Sequence, residues 1–131
     1  MKEVETGADP AGVDLDALAR RLGGNRGLIG DLIAIFLEEG PKNLEAIQTG
    51  IRRKDSEMIR LAGHTLKGSL SYFGTKQAIG LASQIEKLGR ENEFEAVKPF
   101  AAELNRLIGV ISIDLQQWSD EPIPDVRGVS P

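Results

Sequence analysis

Apolar residues recur along this chain three and four positions apart, and turn residues cut the recurrence into five segments. In the first, Leu15, Leu18, Ala19 and Leu22 share one side of a short helix that Asp14 can cap and Gly23-Gly24 ends. The second opens at Asn25 and runs to about Arg53, with Leu28, Ile29, Leu32, Ile35, Phe36, Leu44, Ile47 and Ile51 at helical spacing. Pro41 falls inside it, and an interior proline removes a backbone hydrogen bond and usually kinks a helix. Because the apolar stripe resumes in phase beyond Gly40-Pro41, the pattern predicts one bent helix rather than two.

Asp55 or Ser56 can cap a third helix, expected to end near Phe73 with Gly74 as its stop. Thr75 can cap a fourth, in which Ala78, Leu81, Ala82, Ile85 and Leu88 form one face before Gly89. The fifth starts after Glu93 and runs to Trp118 on Phe94, Val97, Ala101, Leu104, Leu107, Ile108, Ile111, Leu115 and Trp118, with Pro99 in its first turns. Within it, Ile111-Ser112-Ile113-Asp114-Leu115 alternates like a strand, and no second strand candidate exists to pair with it.

The connection between the third and fourth helices is too short for anything but an antiparallel pair. The expected fold class is therefore all-α, an antiparallel four-helix bundle with a short additional N-terminal helix, over residues 14–118. Residues 1–13 and 119–131 carry glycine, proline and charge without periodicity and read as a disordered leader and tail.

The third helix holds the only histidine. At about 100° per residue, Met58, Ile59, Ala62, Leu66, Ser69, Leu70 and Phe73 fall on one side, an apolar stripe broken by Ser69. Glu57, Arg60, His64, Lys67, Gly68 and Ser71 fall on the other. His64 therefore points away from the core. Counting equal distances from Gly74 sets it level with about Gln84 to Glu86 on the fourth helix, with Arg90 one turn further along.

Composition narrows the chemistry. The chain has 131 residues, enough for one core, and 40% are hydrophobic. It has no cysteine, which excludes disulfides, Cys-based zinc sites and thiol catalysis. A net charge of -4 argues against nucleic acid as the main partner. No apolar run reaches a membrane span and the start lacks a signal peptide's apolar region, so the expectation is a soluble cytoplasmic module. One histidine with scattered carboxylates matches no usual metal-ligand set. Ser71 could enter a Ser-His-Asp arrangement, but the strand-turn-helix that exposes a nucleophilic serine is absent.

Lys67 and Gly68 stand three and four residues after His64, and positions so spaced are neighbours on a helix surface. The Lys67 ammonium can reach a group attached to the imidazole, and a nearby cation favours the neutral, nucleophilic ring. Gly68 costs roughly 1 kcal/mol relative to alanine and leaves the approach to the ring open. Gly30, Gly50, Gly63, Gly80 and Gly109 also fall in expected helices, so Gly68 is not singular.

His64-Thr65-Leu66-Lys67-Gly68-Ser69, followed by Phe73-Gly74, resembles the signature of histidine-containing phosphotransfer (HPt) domains of phosphorelays, of the kind attached to hybrid sensor kinases. Leu15-Asp16-Ala17-Leu18, Phe36-Leu37-Glu38-Glu39 and Ile85-Glu86-Lys87-Leu88-Gly89-Arg90 extend the likeness over roughly residues 13–118. The resemblance implies that His64 accepts a phosphoryl group through Nε2 from a receiver-domain aspartyl phosphate and passes it to another receiver aspartate. It implies that Lys67 balances phosphate charge and Gly68 gives access, with Glu86, Arg90 and Ser71 flanking the site. Arg60, Leu61 and Tyr72 would belong to the docking face. The chain would be a monomeric phosphocarrier without catalysis of its own or a bound cofactor, the Mg2+ residing on the receiver. Two departures stand out: Leu70 replaces a small residue, implying a repacked core, and Gly63 replaces the alanine common before the histidine. Two other readings of the same sequence are a non-phosphorylated adaptor that binds receivers or kinases, and a structural bundle with an incidental histidine.

Overall fold

The computed structural model describes residues 12–73 and 75–120, with the side chains of residues 119 and 120 left aside. The expected leader and tail fall almost wholly outside the described residues, as does Gly74. Five helices follow in order: α1 (Leu15–Arg21), α2 (Arg26–Arg53), α3 (Ser56–Ser71), α4 (Lys76–Arg90) and α5 (Phe94–Asp120). No strand occurs among the described residues.

Helix starts follow the capping chemistry. Oδ1 of Asp14, Asn25 and Asp55 accept from the backbone N–H of Ala17, Leu28 and Met58 at 2.9, 2.9 and 3.0 Å, each satisfying a first-turn donor. Thr75 precedes α4 but makes no such bond. Its buried hydroxyl donates instead to the Leu70 carbonyl at 3.2 Å, tying the α3–α4 connection to the end of α3. Gly23 and Gly24, both at positive φ, turn the chain out of α1 as expected.

α2 runs without a break through Pro41. Its buried face is Ile29, Ile33, Phe36, Gly40, Ile47, Gly50 and Ile51. Leu28 and Ile35, placed on the core stripe from spacing, are 41% and 56% exposed. Two apolar stripes run side by side in this half of the helix, and the core takes the one containing Ile33. The strand-like alternation near the C-terminus yields to helical period: Ile108, Ile111 and Leu115 are buried while Ile113 is 58% exposed. The same helix continues through residues 119 and 120, past the expected boundary at Trp118.

α3 packs on α2 and α4, α5 packs on the same two helices, and α1 rests against α2. The core between them includes Ile59, Leu66, Leu70, Phe73, Ile85, Leu104, Ile111 and Leu115, each at most 1% exposed. Each such side chain contributes about 1.5–3 kcal/mol on burial. Leu70 lies fully inside this core, as its place on the apolar stripe requires. Phe36 and Phe73 meet edge to face at 5.5 Å, joining α2 to the end of α3. α1 reaches the same place: the Asp14 N–H donates to the Phe73 carbonyl at 2.8 Å, and Arg21 to that of Tyr72 at 2.9 Å.

The contact between α3 and α4 positions the site. A Cβ on Gly63 would stand 2.9 Å from the backbone N of Glu86 and 3.1 Å from the carbonyl of Ala82. A Cβ on Gly89 would stand 2.7 Å from Ile59 Cγ2 and 3.1 Å from the backbone N of Arg60. Gly89 lies inside α4, one residue before its end at Arg90, where its missing side chain admits α3.

Candidate functional site

His64 projects from the exposed side of α3, its side chain 60% accessible, while Ala62, Gly63 and Leu66 around it are buried. Opposite it on α4 stands Glu86, whose side chain is only 9% accessible. The close approach at Gly63 sets that carboxylate against the ring: His64 Nδ1 lies 3.2 Å from Glu86 Oε2. Lys67 Nζ lies 2.8 Å from Oε1 and an Arg90 guanidinium nitrogen 3.1 Å from Oε2. Three side chains, His64 and Lys67 from α3 and Arg90 from α4, thus converge on one carboxylate.

The electrostatics are set by that carboxylate. Lys67 holds the Glu86 carboxyl below the usual carboxylate range, with a smaller contribution from His64, against burial, which pushes it up. Glu86 is consequently ionised at neutral pH and can only accept hydrogen bonds. The proton in its bond to His64 therefore belongs to Nδ1, which leaves Nε2 as the nitrogen turned away from Glu86. Nε2 has no hydrogen-bond partner among the described residues. The sequence argument credited Lys67 alone with setting the charge beside the ring; the structure adds a carboxylate between the two.

The remaining expected residues divide. Gly68 leaves open space beside the ring, with nothing within 4 Å of where a Cβ would stand. Arg60, half-buried, makes a two-pronged ion pair with Glu57 one turn back, its Nε 3.0 Å from Oε1. Leu61 on the same helix and Tyr72 just past its end are 53% and 47% exposed. Ser71 is not gathered into the cluster: its hydroxyl donates to the Gly68 carbonyl at 2.6 Å, two turns along from His64.

Sequence reasoning passed over Gly63 and Gly89 as site-building residues. Their signal lay on the helical wheel, since Gly63 falls on the buried flank of α3 whereas Gly68 falls on the exposed side. Among the described residues, no group of three or more His, Cys, Asp or Glu side chains could hold a metal ion, and no helix is long and apolar enough to cross a membrane. A groove of about 480 Å³ between α2 and α5, bordered by Pro41, Leu44 and Ile108, includes none of the site residues. His64 and the open space at Gly68 lie instead on an exposed helix face.

A family model described as Hpt domain matches residues 31–117. Among solved structures, histidine-containing phosphotransfer protein B (HptB) from Pseudomonas aeruginosa PAO1 is similar with a TM-score of 0.75. That match covers 83% of this chain and 94% of the other at 19% identity, a likeness of fold. No curated protein sequence matches the chain.

Proposed function

The chain belongs to the Hpt domain family, and from that premise we propose that it is a phosphorelay intermediate in which His64 Nε2 takes a phosphoryl group from the aspartyl phosphate of one receiver domain and returns it to the aspartate of another. The observation that carries this reading is the arrangement of His64 itself, exposed on α3 with Nδ1 engaged by Glu86 and Nε2 without a partner among the described residues. In-line transfer needs the nucleophilic nitrogen accessible and the ring held in one tautomer.

The other residues take supporting parts. Lys67 turns from Glu86 toward the arriving phosphoryl oxygens and offsets their charge, with Arg90 beside it. Gly68 leaves room for the receiver to approach. Leu61 and Arg60 on one side of His64 along the chain, and Tyr72 on the other, give a docking face that mixes apolar and charged groups as transient interfaces do. Within this proposal α2 to α5 form the antiparallel four-helix bundle, with α1 as the short added helix. The chain acts as a monomeric cytoplasmic carrier: it binds no cofactor, and the receiver supplies the Mg2+ and carboxylates that stabilise the transition state.

The test is incubation with phosphorylated receiver domains and Mg2+, followed by peptide mapping. Phosphate on the peptide containing His64 supports the proposal. Receivers that bind the chain without phosphorylating it would make the chain an adaptor.

A further inference from the structure

Beyond Tyr72 the exposed side of α3 gives way to a cavity of about 270 Å³ bordered by α1, the end of α3 and the start of α4. Arg21 of α1 and Lys76 of α4, both exposed, line it together with Tyr72, and the buried Leu18 contributes an apolar wall. We propose that this cavity is a docking subsite in which Arg21 and Lys76 receive an aspartate or glutamate side chain of the partner receiver, a proposal that rests on the phosphotransfer reading above.

The charges fit an acidic occupant. Lys42, Lys67, Lys87 and Lys98 each stand 2.8 to 3.3 Å from a carboxylate of this chain, whereas Lys76 and Arg21 have no carboxylate partner among the described residues. Arg21 is held by one bond, its Nη2 donating to the Tyr72 carbonyl at 2.9 Å, which leaves the remaining guanidinium N–H groups for a second acceptor. Asp14 also borders the cavity, but its Oδ1 accepts from the Ala17 N–H at 2.9 Å, and the two cations outweigh its single charge. In a chain of net charge -4, such an unpaired pair gives this end of the bundle a local field that attracts acidic groups.

The position fits a receiver. Tyr72 follows His64 by eight residues, about 12 Å along the helix axis. A standard interface covers about 800 Å² on each partner, a patch reaching about 16 Å from its centre. A receiver centred on His64 therefore covers Tyr72 and reaches the rim of the cavity. Because the subsite stands two turns from the reacting nitrogen, it acts on encounter and register rather than on the transfer step.

Receiver domains are screened for binding to the full chain and for transfer of phosphate to His64, and those that bind are measured again with Lys76→Glu. Lys76 opens α4, where an acidic residue is favoured by the helix dipole, so this variant should fold as the wild type does. Arg106→Glu makes the same change in net charge on an exposed face of α5, a helix that packs on α2 and α4. At low salt Lys76→Glu should slow receiver association about fivefold or more and Arg106→Glu less than about twofold, and the gap should close near about 0.5 M salt. Labelling of His64 by phosphoramidate, a small donor that needs no docking, should not change. Carbodiimide treatment of the wild-type complex, which joins an amine to an adjacent carboxylate, should link Lys76 to an aspartate or glutamate of the receiver. Unchanged association in Lys76→Glu, equal slowing by the two substitutions, or cross-links to the receiver that omit Lys76 would overturn the proposal and leave the phosphotransfer reading standing. Receivers that neither bind the chain nor place phosphate on His64 would remove that reading and this proposal together.

Discussion

Gly63 of α3 and Glu86 of α4 meet backbone to backbone, so closely that a Cβ on Gly63 would stand 2.9 Å from the Glu86 nitrogen. The neighbouring residue on α3 is His64, and the approach delivers the Glu86 carboxylate to its Nδ1. A glycine therefore sets the geometry of the candidate site without touching the reacting atom.

Gly63→Ala tests this directly. Helix propensity alone would make the variant more stable by up to about 1 kcal/mol. The new methyl group meets backbone atoms that cannot rotate away, and such overpacking costs about 1–3 kcal/mol. Urea unfolding should show a net loss of about 1 kcal/mol, and the ring ¹⁵N signal of Nδ1 should shift as Glu86 is pushed away. A variant more stable than the wild type would show that α3 and α4 are not held this close.

Gly68→Ala should behave in the opposite way. A Cβ there meets nothing within 4 Å, so helix propensity acts unopposed and stability should rise by roughly 0.5–1 kcal/mol. Transfer from a phosphorylated receiver should slow, because the methyl group stands beside the nucleophile. Unchanged transfer would strip Gly68 of its access role.

Glu86 makes stability depend on pH with a definite sign. Lys67 above all, and His64 after it, hold its carboxyl below the ordinary range in the folded chain. A carboxyl so depressed adds stability above its unfolded pKa and loses it as pH falls through the folded value. The wild type should exceed Glu86→Gln by about 1 kcal/mol at pH 7, a modest figure because the partner side chains are solvated. The two unfolding curves should converge below about pH 4. A constant difference from pH 7 to pH 3 would contradict the ion-pair account.

Docking separates from chemistry at Leu61 and Tyr72. Leu61 is exposed on α3 and Tyr72 at its C-terminal end, and neither bonds to His64 through its side chain. Leu61→Glu and Tyr72→Ala should leave labelling by phosphoramidate intact while weakening receiver binding by about tenfold or more, the usual cost of losing an interface anchor. Equal loss with both donors would mean that the substitutions damage the site itself.

Five helices, most of their caps and the outward setting of His64 were legible from period and turn residues, because each depends on local chain chemistry. The motif drew attention to Lys67 and Gly68, and counting turns set Glu86 level with His64. Other features depended on which face each neighbouring helix takes. Leu28 and Ile35 have the spacing of core residues, yet the second stripe through Ile33 is the one that α2 buries. Gly89 follows the apolar face of the fourth helix in the sequence, and only the proximity of Ile59 shows why it lacks a side chain. Thr75 sits where a cap belongs, but the carbonyl of Leu70 offers its hydroxyl a buried partner. In each case tertiary packing chose between two locally acceptable answers.

The central claim, that His64 carries the phosphoryl group, is tested most directly by transferring labelled phosphate from a phosphorylated receiver, with Mg2+, to the wild type and to His64→Gln. Because the His64 side chain is 60% exposed and lies outside the core, the variant should keep its fold and its unfolding transition within about 0.5 kcal/mol. The account predicts label on the wild type alone, labile in acid and stable in base as a phosphoramidate is. Equal label on a folded His64→Gln protein, or none on either while receivers still bind, would contradict it.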